Sequence, residues 1–217
     1  MKFEIITLFP EMFKSPFEES IISRAKKDKL IEIQTHQLRD SAVDKHKTVD
    51  DTPCGGGPGM VLKVDVMDRA ISKVKDNIPK NKTTRTILLT PKGEKFTQKK
   101  AIELSKYDNL ILVCGHYEGF DQRIHEQLVD ENISIGDYVL TGGEIPAMVL
   151  VDAITRMIPG TIKKESVESE SHMPGNDNDL DYPVYTRPIE YSDWKVPEEL
   201  LSGDHKKIDE WRKNYSR

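Results

Sequence analysis

RTILLTPKGEKFTQKKAIELSKYDNLILVCG, residues 85–115, is the stretch that decides the fold. Its ends, RTILLT (85–90) and NLILVCG (109–115), are short apolar runs without alternation, the pattern of strands buried on both faces. Between them TQKKAIELSKY (97–107) reads as a helix. Strand, helix, strand is the unit of a parallel sheet, so the chain is α/β.

The flanks extend the pattern. KFEIITLF (2–9) reads as a buried strand ended by Pro10, and LIEIQTHQL (30–38) alternates as a strand does. FEESIISRAKK (17–27) places Phe17, Ile21, Ile22 and Ala25 at helical spacing, and VDVMDRAISKV (64–74) does so with Val66, Ala70, Ile71 and Val74. Downstream, NISIGDYVL (132–140) predicts a strand that bends at Gly136, and GGEIPAMVLVDAITRMI (142–158) a long apolar helix. Beyond Pro159–Gly160 the run KKESVESESHMPGNDNDLD (163–181) is polar and acid-rich, which predicts a flexible connection. DHKKIDEWRKNY (204–215) predicts a last helix capped by Asp204. The expected division is a main domain over 1–160, a linker over 161–181 and a small C-terminal helical module over 182–217.

Of the 217 residues 36% are hydrophobic, enough for one core and a small appendage. No run of eighteen apolar residues occurs, and MKFEIITLFPEMF carries acids and lacks a signal-peptide cleavage site. Cys54 and Cys114 are too few for a disulfide framework and lack metal-ligand spacing, so a reduced, cytoplasmic protein is expected. The net charge of −5 argues against a general polyanion binder. A selective nucleic-acid enzyme stays open, because only a local patch has to be positive. RAKKDK (24–29), Lys92 and Lys95 are candidates, although solvated surface is the ordinary fate of such clusters.

In an open parallel sheet ligands gather where the strands end. Three unusual loops leave such ends here: PKGEKF, HYEGFDQR and TGGE. Glycines 93, 115, 119, 136, 142 and 143 therefore collect at one edge, which favours a nucleoside-sized ligand held by backbone groups over six unrelated turns. The dinucleotide fingerprint is missing. In TPCGGGPGM (52–60) the glycines lead to Met60 and Val61, not to the lysine and hydroxyl of a phosphate loop, so a mobile lid is the better reading.

Seven motifs then appear in order: GGGPGM (55–60), TPKGEKF (90–96), CGHYEGFDQR (114–123), SIGDYVLTGGE (134–144), RMIPG (156–160), YPVYTRP (182–188) and KVPEELLSGDH (195–205). Together they cover nearly the whole chain and strongly resemble the bacterial tRNA (guanine-N1)-methyltransferase family, TrmD, of the SPOUT superfamily. The resemblance implies a deep trefoil knot in the α/β domain, a C-terminal tRNA-binding module, and a homodimer with a composite active site. The implied reaction moves a methyl group from S-adenosylmethionine to N1 of guanine 37 in tRNA. The implied cofactor residues are Leu89 and Pro91; Gly115, Tyr117, Glu118 and Gly119; and Ile135, Gly136, Asp137, Tyr138, Val139, Leu140, Gly142 and Gly143. Asp137 equally suits plain exposure. Gly57, Pro58 and Gly59 would close over the target base.

Arg156 corresponds to the family's catalytic arginine, and Glu170 in SVESESH falls at the position of its aspartate general base; Glu168 and Asp177 remain candidates. His116 stands where the family often has arginine, and the chain stops soon after EWRKNYSR, which predicts a reduced C-terminal grip on tRNA. Mg²⁺ assistance is implied too, but no ligand cluster identifies a metal site. A ribose methyltransferase and a catalytically silent RNA-binding protein are the rival readings.

Overall fold

The computed structural model describes residues 1–163, 171–173 and 180–216. Contacts divide the chain into two compact units, Met1–Ile162 and Lys163–Arg217. The first contains strands β1 (Lys2–Thr7), β2 (Glu32–Gln37), β3 (Asp50–Asp51), β4 (Val61–Leu62), β5 (Thr84–Lys95), β6 (Asn109–Cys114) and β7 (Glu131–Ser134). Its helices are α1 (Ser20–Lys27), α2 (Val64–Asp76), α3 (Gln98–Leu104) and α4 (Glu144–Arg156). Five strands form one parallel sheet in the order β2-β1-β6-β5-β7, while β3 and β4 make a separate antiparallel pair.

The unbroken apolar runs of the sequence become strands covered on both sides. On one face Phe3, Ile5, Ile87, Leu89, Leu110, Leu112 and Ile133 pack against Ile22 and Ala25 of α1, Ala101 and Leu104 of α3, and Ala147, Leu150, Val151 and Ile154 of α4. On the other, Ile6, Leu88, Ile111 and Val113 meet Val66, Met67, Ala70, Ile71 and Val74 of α2. All six residues of β6 are buried, as expected for the middle strand of a three-layer α/β sandwich.

Two expectations about strands need correction. RTILLT does not end at Thr90: both Leu89 and Glu94 pair with Ile133, so residues 90–93 are extruded as a bulge and the strand resumes to Lys95. A Cβ at Gly93 would stand 2.4 Å from Ile133 N, so only glycine lets the chain return to the ladder there. Conversely, NISIGDYVL is not a strand over 132–140, because β7 stops at Ser134. There the Ser134 hydroxyl donates to Gly136 O and accepts from Gly136 N, a tight turn that replaces the ladder.

The second unit has a hairpin of β8 (Glu190–Tyr191) and β9 (Trp194–Lys195), a short helix Glu198–Leu201, and the helix His205–Tyr215. Asp204 caps the last, its carboxylate accepting from Lys206 N and Lys207 N. Trp211 is buried between the rings of Tyr185 and Tyr215. The hairpin and the short helix come in addition to the single helix expected from the sequence.

Candidate active site

The C-terminal edge of the sheet holds a cavity of about 310 Å³. Each wall is a loop that leaves a strand end. Strand β5 and its bulge supply Leu89, Thr90, Pro91 and Lys92; the loop after β6 supplies Gly115 through Phe120; and the chain after β7 supplies Ile135, Gly136 and Tyr138 through Gly143. Thirteen of the fourteen residues expected at a cofactor are thereby brought together. Asp137 is the exception: its exposed carboxylate accepts from Lys95 Nζ at 2.6 Å, off the cavity wall. Such an exposed pair adds little stability.

The loops are held by their own main chain. Gly143 N donates to Gly115 O at 2.8 Å, seating the N-terminus of α4 on the end of β6. A Cβ at Gly143 would lie 2.7 Å from Cys114 Cα, and one at Gly115 would enter the Phe120 ring. The expected reason for these glycines was ligand approach; the structure uses their bareness to bring the loops against each other. Tyr117 has φ +61°, an uncommon conformation for a non-glycine residue, and its hydroxyl accepts from Arg39 at 3.3 Å.

Beneath the cavity lies a buried acid. Glu144, in the first turn of α4, is 3% exposed and accepts from the Thr7 hydroxyl at 2.7 Å; that hydroxyl in turn accepts from Phe9 N. The helix N-terminus offsets part of the cost of its charge. Burial, and after it the charge of Glu144, pushes the Cys114 thiol well above its ordinary range, so this cysteine is a packing group and not a nucleophile. His116 lies edge-on to Phe9 and Tyr117, with its Nδ1 buried and, among the described residues, without a hydrogen-bond partner.

The glycine-rich loop hangs from the same wall. Glu118 N donates to Met60 O, Leu62 N to Gly119 O, and Asp121 N to Leu62 O. Gly55, Gly56, Gly57 and Gly59 all have φ between +76° and +124°, and a Cβ at Gly55 or Gly56 would meet no atom of the described residues within 4 Å. Gly59 abuts Glu118, while Gly57 and Pro58 are exposed. Arg156 is elsewhere: it lines a smaller hollow with Glu19, Ser20 and Asp152 at the far end of α4. Glu170, Glu168 and Asp177 lie outside the described residues.

The family model for the tRNA (Guanine-1)-methyltransferase TrmD matches residues 1–217. The chain belongs to this family. Among the relatives it resembles is a tRNA (guanine-N(1)-)-methyltransferase from Alkaliphilus metalliredigens, 54% identical over 217 residues, which are all of this chain and 87% of the relative. Proteins of the same description from Dehalococcoides mccartyi and Ruminiclostridium cellulolyticum are 50% and 52% identical, with this chain fully covered and 86% and 91% of each relative.

Cavity residues that the sequence reading did not select include Phe120, His125, Ile133 and Pro146. His125 had no signal in the sequence, because its place depends on a π-helical turn, Ile124–Leu128, within an expected loop. Among the described residues no group of three or more His, Cys, Asp or Glu is placed to hold a metal ion, and no helix is long and apolar enough to cross a membrane.

Proposed function

We infer that the protein transfers a methyl group from S-adenosylmethionine to N1 of guanine 37 in tRNA. One observation carries this reading: a nucleoside-sized cavity walled by three strand-end loops of a parallel sheet, in a chain of this family. Apolar Leu89, Phe120 and Ile133 beside main-chain groups suit a purine nucleoside, and the His116 Nδ1, unpartnered among the described residues, offers it a polar contact. When bound, the cofactor supplies a methyl group attached to a positively charged sulfur.

This chain supplies the rest. Guanine N1 attacks only after losing its proton, and Glu170 is the carboxylate proposed to take it, a contribution of roughly 10²–10⁴-fold. Charge then builds on O6, where the Arg156 guanidinium offsets it. Gly57, Pro58 and Gly59 close over the base and exclude water.

The length of α4 supports a shared site. Its 13 residues separate the cavity end from Arg156, about 20 Å at the rise of an α-helix. An arginine side chain does not span that distance, which favours Arg156 serving the cavity of a second copy; Glu170 is assigned the same part from the family resemblance. Ile145 and Val149, one turn apart on the exposed side of α4, offer the homodimer an apolar contact. The sheet is assigned the trefoil knot of the SPOUT superfamily, residues 161–181 the role of linker, and residues 182–217 the grip on tRNA. Exposed Tyr191 and Trp194 suit base stacking there. The cytoplasm is the proposed compartment, and Mg²⁺ assistance is carried over from the family with no site assigned.

The test is incubation with labelled S-adenosylmethionine and tRNA transcripts bearing guanine or adenine at position 37, followed by mapping of the methylated atom. Label at N1 of guanine 37 alone is expected. Cofactor binding without transfer would leave a silent RNA-binding protein, and label on a ribose hydroxyl would make it a different methyltransferase.

A further inference from the structure

Helix α4 presents two stripes. Ala147, Leu150, Val151 and Ile154 are fully buried in the core. Ile145, Val149, Asp152 and Arg156, spaced by four, three and four residues, make the other. Ile145, Val149 and Asp152 are exposed on it. The apolar contact offered to a second copy therefore runs straight on into an acid and then the arginine.

Asp152 and Arg156 line one hollow of about 160 Å³, whose opposite wall is the start of α1 with Glu19 and Ser20. Neither acid is accounted for by its own helix. Glu19 stands at the N-cap of α1, yet its side chain makes no capping hydrogen bond. Asp152 lies in the C-terminal half of α4, toward the end of the helix dipole that disfavours an acid. An acid and an arginine one turn apart on a solvated helix add little to its stability. Here two carboxylates instead gather where α4 carries its one arginine.

A guanidinium that meets the O6 of a base has to be aimed. A long side chain loses rotamer freedom when it is fixed, and the loss is smaller at the moment of reaction if a carboxylate has already fixed it. A carboxylate takes two of the five N–H donors of arginine and leaves the rest. Asp152 suits this part because it shares a rigid helix with Arg156, so their separation does not depend on how two copies pair.

We propose that Asp152 is the positioning residue of Arg156: its carboxylate holds the guanidinium on the outward stripe of α4, with Glu19 as a second anionic wall, and leaves the remaining donors for O6 of the target guanine. The inference rests on the assignment of Arg156 to that oxygen.

The experiment measures single-turnover methyl transfer to a guanine-37 tRNA transcript, and calorimetric affinity for S-adenosylhomocysteine, with the full chain. Asp152→Asn should slow transfer by about tenfold or more, the scale of a misplaced catalytic group, and leave the affinity as in wild type. Asp152→Glu keeps a carboxylate on the stripe and should recover most of the rate. Refolded together with Gly142→Val, Asp152→Asn should return transfer to about one quarter of wild type, as random pairing of complementary chains allows. Refolded with Arg156→Ala it should return nothing beyond its own residual rate, because both changes strike the same group. A wild-type rate or a lost cofactor affinity in Asp152→Asn overturns the proposal while leaving the reaction in place. So does a loss in Asp152→Glu as deep as in Asp152→Asn, recovery against Arg156→Ala, or silence with Gly142→Val where Arg156→Ala recovers. No transfer by wild type would overturn the reading of the reaction itself, and the part of Asp152 with it.

Discussion

A methyl group on Gly143 would stand 2.7 Å from Cys114 Cα and equally close to Gly115 N, and neither atom can give way without moving β6 or α4. Gly143→Ala should therefore lower stability by about 1–3 kcal/mol, the scale of overpacking, read from urea unfolding. Gly142 differs, because its added carbon would meet side-chain atoms, Glu144 Oε2 at 2.3 Å and His116 Nδ1 at 2.9 Å. Gly142→Val should displace His116 on the cavity wall and Glu144 beneath it and weaken S-adenosylhomocysteine more than about tenfold in calorimetry, with a smaller loss of fold stability than at Gly143. Unchanged affinity would remove Gly142 from the ligand site. The glycines were legible in the sequence as one cluster at one sheet edge, but what each of them clears space for was not. Spacing shows that a side chain is missing; only the folded loops show that Phe120, Cys114 and Glu144 occupy the room it leaves.

Between elements, Glu131 at the start of β7 accepts from Arg85 Nε of β5 at 2.6 Å and from Lys100 Nζ of α3 at 3.1 Å. Burial pushes its carboxyl up, but the hydrogen bonds and charges of Arg85 and Lys100 outweigh burial and hold it below the ordinary value of 4.5. A carboxyl depressed in the folded state adds stability that is complete above its unfolded value and disappears as pH falls through the folded one. Glu131→Gln should therefore cost about 1–3 kcal/mol near neutrality, the scale of a charged hydrogen bond, in chemical unfolding. The difference from wild type should shrink as pH drops below 4.5. A difference that stays constant down to pH 3 would mean the triad does not act through this ionisation. Periodicity had found β5, α3 and β7, because apolar runs report burial directly. It missed the resumption of β5 to Lys95 and the early end of β7 at Ser134, since both depend on pairing with a distant strand. The extruded residues 90–93 and the turn at Ser134 are the pieces that shape the cavity, so sequence pattern was least informative where the site is built.

At the scale of the whole molecule, the proposed reaction needs groups that one chain keeps apart. The cavity lies at the Gly143 end of α4 and Arg156 at the other, in a hollow with Glu19 and Asp152. A shared site makes a prediction that a site within one chain does not. Arg156→Ala should abolish transfer yet keep cofactor affinity, because the arginine is proposed to act on guanine O6 and not on the cofactor; Gly142→Val should abolish transfer by losing the cofactor. When the two inactive variants are unfolded and refolded together, half of the pairs combine one of each. In such a pair one site joins both altered groups, and the other joins an intact cavity to an intact arginine. Transfer should then return to about one quarter of the wild-type rate, the fraction of wholly intact sites that random two-fold pairing leaves. If each chain used its own Arg156, every site in the mixture would lack one group and the mixture would stay silent. Silence in mixtures that sedimentation shows to be paired would move Arg156 out of the shared site, and the exposed Ile145 and Val149 would then need another reason to face outward from α4.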